Sequence, residues 1–172
     1  YFYAVYKYLE YVVTPDAYEF IKKDIYPCLK DIISTYKKGT DFSIYMDTDG
    51  LIHAGSGLDQ VTWMDVRVGD WVATPRHGKP VEINALWYNA LCTMDMLQAK
   101  FGDNDDSYRQ LASLVKTSFN KRFWNENTGC LYDVVDEDDD TIRPNQIYAV
   151  SLPFTMLDKE REKAIVDTVM DK

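Results

Sequence analysis

The sequence predicts an all-α fold with small β-hairpins, and three observations carry that reading. Apolar residues recur at steps of three and four over several long stretches, the period of a helix with one buried face. Pro and Gly mark the ends of those stretches. There is also a weak internal echo: helix, turn, Gly50-Leu51-Ile52, loop and helix return about 79 residues later around Gly129-Cys130-Leu131. Such spacing is expected where helical hairpins repeat around a ring and collect their long loops at one end.

Residues 1–13 read as the end of a helix or as a buried strand, a span too short for periodicity to decide. Thr14-Pro15-Asp16 starts a helix, with Thr as cap, Pro at the first position and an acid facing the dipole. Pro27 is expected to kink this helix, and Lys37-Lys38-Gly39 to end it. Asp49-Gly50 centres a short hairpin, because the pair tolerates positive φ. Residues 55–80 hold four Gly and two Pro with no sustained period, and a loop of that length in a compact domain is usually functional. Ile83, Leu86, Trp87, Ala90, Leu91, Met94 and Leu97 give the helix over 81–100 a wide apolar stripe and predict its burial. Asp103 or Asn104 is expected to cap a third helix with Tyr108, Leu111, Val115 and Phe119 inward. The segment CLYDVV reads as a short strand and residues 136–140 as a solvated acidic loop. Arg143-Pro144-Asn145-Gln146 opens a fourth helix to Leu157, and a fifth occupies 158–171 with Ala164, Ile165 and Val169 inward.

Length and composition bound the function. The 172 residues, 46% hydrophobic, suffice for one sizeable core. A net charge of −9 repels polyphosphates and argues against nucleic-acid binding, while a neutral substrate is unaffected. No apolar run approaches the roughly 20 residues of a membrane helix. Cys28, Cys92 and Cys130 are odd in number and widely spaced, as expected of reduced thiols in a cytoplasmic protein. The chain begins at Tyr1 inside an aromatic run and ends at Lys172 within a helical pattern, so a piece of a longer domain, incomplete at both ends, is expected.

The chemistry concentrates in residues 58–89, where three Trp, four Asp or Glu, two Arg, two Pro and three side-chain amides suit a polar cleft with aromatic walls better than a plain core element. Asp65 is the candidate general acid. Its neighbours Trp63, Met64 and Val66 disfavour a bare charge and suit a carboxyl that must carry a proton; the plainer alternative is an Asp that holds a turn or pairs with Arg67. Trp63, Trp71 and Trp87 can stack on sugar faces or simply pack; for Trp63 the two are balanced, whereas the apolar helix face of Trp87 favours packing. Arg76 can fork onto a carboxylate or onto sugar hydroxyls. Glu82 and Asn84 fall at a helix start, where capping competes with ligand binding, and Asn145 and Gln146 repeat that arrangement. His53 and His77 lack ligand spacing, so no metal is expected, and no phosphate loop or serine elbow is present.

These residues resemble a known family. Thr62-Trp63-Met64-Asp65, the run Thr74-Pro75-Arg76 through Gly78-Lys79-Pro80-Val81-Glu82-Ile83-Asn84-Ala85-Leu86-Trp87-Tyr88-Asn89, the Asp47-x-Asp49-Gly50-Leu51-Ile52 segment and Arg143-Pro144-Asn145-Gln146 with Ser151-Leu152-Pro153 are similar to the amylo-α-1,6-glucosidase domain of glycogen debranching enzymes. The resemblance implies an α/α toroid of six helical hairpins, glucoamylase-like, of which this chain spans about half. It also implies inverting hydrolysis of α-1,6-linked glucose at branch points of glycogen or limit dextrin, with no metal or organic cofactor. Asp65 takes the position of the general acid, and Asp49, Trp63, Arg76, Glu82, Asn84, Trp87, Asn145 and Gln146 those of cleft-lining residues. The second carboxylate that inversion requires matches no segment here, so the chain alone is expected to be inactive. Two alternatives stay open: another toroid glycosidase of glucoamylase or trehalase type, and a non-catalytic glycan-binding module. Helix faces built for absent neighbours are expected to make the isolated chain self-associate.

Overall fold

The computed structural model describes residues 1–103 and 105–171. About half of these lie in seven α-helices: α1 (Phe2–Tyr11), α2 (Pro15–Phe20), α3 (Tyr26–Lys38), α4 (Val81–Phe101), α5 (Ser107–Arg122), α6 (Tyr148–Ser151) and α7 (Lys159–Met170). Eight two-residue strands form four antiparallel ribbons, pairing β1 (Tyr45–Met46) with β2 (Ile52–His53), β3 (Arg67–Val68) with β4 (Trp71–Val72), β5 (Lys79–Pro80) with β8 (Val134–Val135), and β6 (Trp124–Asn125) with β7 (Cys130–Leu131).

Helix α4 is the centre. Its apolar stripe is wide enough that Val81, Ala85, Trp87, Ala90, Leu91, Met94 and Leu97 are all buried, with α1, α5 and α6 packed around it. Tyr36 of α3 stacks on Trp87, and Tyr26 meets Phe101 edge-on at 5.3 Å. Left-handed Gly102 stops the helix.

The hairpins echo one another as expected. Each follows a helix, and each second strand comes just after a left-handed glycine, Gly50 or Gly129. In the first, the Asp47 carbonyl accepts from the Gly50 amide and the Asp47 amide donates to the Leu51 carbonyl, a three-residue loop for which Gly50 supplies φ of +81°.

Elsewhere the expectations needed correction. Of the two readings of residues 1–13 the helix holds, over Phe2–Tyr11. The chain absorbs Pro27 by widening rather than simply bending: a π-turn at Ile21–Ile25 precedes it, and the Tyr26 amide reaches back to Ile21. Of the caps expected for α5, Asn104 lies outside the described residues; the N-cap is Asp106, and Asp105 accepts from the Ser107 amide at 2.9 Å. The CLYDVV segment is two strands, because it changes partner at Tyr132-Asp133. The fourth helix is only a 3₁₀ turn (Pro144–Ile147) followed by α6, since Pro153 holds Leu152 extended at ψ of 157°. Helix α7 starts as predicted, with Asp158 accepting from the Arg161 amide at 2.8 Å.

Candidate functional site

Residues 55–77 form one long loop, closed at its base by paired bonds between Ala54 and Gly78 at 2.7 and 3.0 Å. Gly78 has φ of +104°, and a Cβ there would stand 2.8 Å from the Val135 carbonyl oxygen, so the base tolerates only glycine. His77 Nε2 lies 3.0 Å from the Asp59 carbonyl and ties the loop across its waist.

Asp65 sits inside this loop, fully buried. Its carboxylate accepts from the Val61 amide at 2.7 Å and from the Thr62 amide at 2.9 and 3.0 Å. The geometry is that of a turn-holding carboxylate whose oxygens meet backbone donors. Arg67 does not pair with it; that guanidinium donates to the Gly69 carbonyl. Trp63, two residues earlier, is 67% exposed.

Arg76 anchors the end of the loop in the deepest charged cluster. Its Nε and Nη2 bind both oxygens of Asp133 at 2.7 and 2.9 Å, and Nη1 and Nη2 bind both oxygens of Glu82, the latter at 2.6 Å. The Asn145 amide, oriented with its oxygen toward Arg76, accepts from both terminal nitrogens at 3.0 Å. The same oxygen lies 3.4 Å from the Met64 sulfur, a packing contact between two acceptors and not a hydrogen bond. Arg143 adds bonds to Asp133 at 2.5 Å and Asp139 at 2.6 Å. Burial pulls the Arg76 guanidinium down, and the carboxylates of Glu82 and Asp133 more than reverse this, so it stays charged at every accessible pH.

A second cluster borders the first. The buried Lys79 ammonium lies 2.8 Å from Asp47, 2.9 Å from Asp49 and 3.5 Å from Asp136, and Arg122 binds Asp49 at 2.6 Å as well as Asp136. Burial lowers the Lys79 pKa, but Asp47 and Asp49 raise it further than that. Burial likewise pushes Asp49 up, and Lys79, the Leu51 amide and Arg122 carry it below its ordinary value. The loop at 136–140 is solvated as expected, with Asp136, Glu137, Asp138 and Asp140 exposed, and ion pairs of Asp136 and Asp139 tie it down.

Two side-chain amides do equivalent work in the two echoes. Asn84 Oδ1 accepts from the Ile52 amide at 2.7 Å, and Nδ2 donates to the carbonyls of Ile52 and Pro80 at 3.1 and 3.0 Å. Gln146 Oε1 accepts from the Leu131 amide at 3.1 Å. Ile52 and Leu131 each lie two residues beyond the left-handed glycine of their hairpin.

The structure thus gathers Arg76, Glu82 and Asn145 into one cluster, leaves Asp65 bound to amides of its own loop, and sets Asp49 in the neighbouring cluster. It does not unite the full set in one open cleft. Glu82, Asn84 and Gln146 direct their hydrogen bonds to the protein. Trp87 is 6% exposed and donates its indole N–H to the Gly50 carbonyl at 3.0 Å, a packed position from which it also lines an apolar cavity beside α4. Two apolar cavities of about 480 and 420 Å³ flank α4, and neither is lined by Asp65 or Arg76. Sequence reasoning missed Asp133, Arg143, Lys79 and Arg122. Asp133 carried one usable signal: a charge inside an apolar strand demands a buried partner.

The helical scaffold thus presents one long loop that carries a buried carboxyl and two exposed indoles, Trp63 and Trp71. The family model described as amylo-α-1,6-glucosidase matches residues 1–172, and the chain belongs to that family of glycoside hydrolases. No curated protein matches the chain.

Proposed function

We propose that this chain contributes the general-acid half of a glycogen-debranching glucosidase site, which hydrolyses α-1,6-linked glucose at branch points with inversion. The observation that carries the reading is the family match over the whole of residues 1–172. In this mechanism the Asp65 carboxyl protonates the glycosidic oxygen, and a second carboxylate, about 6.5–9.5 Å away, deprotonates the attacking water on the opposite face of the sugar. We assign that base to no residue of this sequence and expect these 172 residues alone to be inactive, as part of an α/α toroid of helical hairpins. Asp65 must leave its amide cradle to reach a substrate, so the reading requires the 55–77 loop to open.

That cradle favours one alternative, in which Asp65 holds the loop and the chain serves as a glycan-binding module without chemistry. The test is hydrolysis of a limit dextrin, and separately of an α-1,4 maltooligosaccharide, by the full-length protein, with the product anomer followed by NMR. Release of β-glucose from the α-1,6 linkage is expected. Retention of configuration, or cleavage confined to α-1,4 linkages, contradicts the proposal. Binding without any hydrolysis selects the module.

A further inference from the structure

The ribbon β3–β4 wears its apolar side outward. Its register sets Val68 opposite Trp71, and the Ala73 amide donates to the Val66 carbonyl at 2.9 Å, so alternation puts Val66, Val68, Trp71 and Ala73 on one face. All four are exposed, Val68 by 65% and Trp71 by 61%, while Val72 on the reverse face is buried. A ribbon on a folded core ordinarily turns such a face inward.

We propose that this face is a stacking platform for the glucose rings of an α-glucan, with Trp71 as its principal contact; the proposal rests on the glucan reading given above. A flat indole flanked by aliphatic side chains matches the apolar face of a sugar ring. The size of the patch points the same way: four side chains are far fewer than the roughly 20–30 residues a side that a stable protein interface uses. Charge agrees as well. Arg67 donates to the Gly69 carbonyl and lies 3.6 Å from Asp70, so the tip of the ribbon is close to neutral and suits an uncharged ligand, while the Asp70 carboxylate, almost wholly in solvent, can accept from sugar hydroxyls. The ribbon begins two residues after Asp65, so glucan held here lies along the same loop as the proposed acid.

The experiment is calorimetric titration of the full-length protein with maltoheptaose, alongside Trp71→Ala and Trp71→Phe, with oligomeric mass recorded by light scattering. Trp71→Ala is expected to weaken binding roughly fivefold or more, and Trp71→Phe by about twofold, with the melting temperature unchanged because the side chain is exposed. Equal affinity of the parent and Trp71→Ala overturns the platform and leaves the glucan reading standing. Failure of the parent to bind glucan overturns both. A fall in oligomeric mass with unchanged glucan affinity assigns the face to a protein contact and overturns the platform.

Discussion

Replacing Arg76 by Met keeps the volume but removes the only cation bound to Glu82 among the described residues. The side chains of Arg76, Glu82 and Asp133 are 0%, 6% and 2% exposed, so water cannot take over the charge that is left. Asp133 retains Arg143, whereas Glu82, in the first turn of α4, retains no cation among the described residues. Deleting one partner of a buried pair costs about 3–5 kcal/mol. In a domain of this length each kcal/mol lowers the melting temperature by about 2–4 °C, so a fall of about 6–20 °C is expected for Arg76→Met. Urea unfolding followed by circular dichroism and by Trp fluorescence measures it. The double variant Arg76→Met/Glu82→Leu is expected to recover at least half of the loss, because the stranded charge goes too. A single-variant cost below about 1 kcal/mol, or a double variant no more stable than the single, refutes the assignment of this cluster as the anchor of the loop.

Three further outcomes follow from the same geometry. Asn84→Ala strands the Ile52 amide and carbonyl and is expected to cost about 1–3 kcal/mol, with Asn84→Asp, which sets a buried carboxylate against the Ile52 and Pro80 carbonyls, costing at least as much; chemical denaturation measures both. Asp47, led down by Lys79, and Asp49 and Asp139, whose cationic and amide partners outweigh their burial, all titrate below their ordinary value of 3.8. Their contribution to stability is therefore full above that pH and is lost as pH falls through the depressed values, and Asp49→Asn should flatten this acid limb of a stability–pH curve. On the alkaline side burial pushes Tyr26 from 10.0 up to about 12, and Lys79 is raised above 10.5, so stability should fall as pH rises past 10. The isolated 172-residue chain exposes Tyr1, Tyr3, Tyr11, Val13 and Phe20 around α1 and α2, and light scattering is expected to find it self-associated, a monodisperse monomer being the contrary result.

The elements that sequence foretold are those whose causes are local. The stripe of α4, the Thr14 cap, the start of α7 and the Asp49-Gly50 hairpin each depend on residues a few positions apart. Where a local rule allowed two outcomes, the choice was made by packing: Pro27 could bend its helix or be admitted by a π-turn, and Leu152-Pro153 could kink a helix or stop it. The candidate site was less legible because its energetics are long-range. Arg76 and Asp133 are 57 residues apart and Lys79 and Asp47 are 32 apart, and neither spacing leaves a mark in a sequence window. Asp65 shows the same limit. Its apolar flanks suggested a carboxyl in an apolar niche, while the backbone turned two of its own amides onto it.

Asp65→Asn in the full-length protein tests the proposed function most directly, with glucose release from a limit dextrin as the readout. The Asn oxygen can still accept from the Val61 and Thr62 amides, so the loop is preserved while the transferable proton is removed. A general acid contributes about 10²–10⁴-fold. The proposal predicts a loss of activity in that range with glucan affinity and melting temperature near those of the parent. Activity within tenfold of the parent contradicts it and leaves Asp65 as the residue that holds the loop.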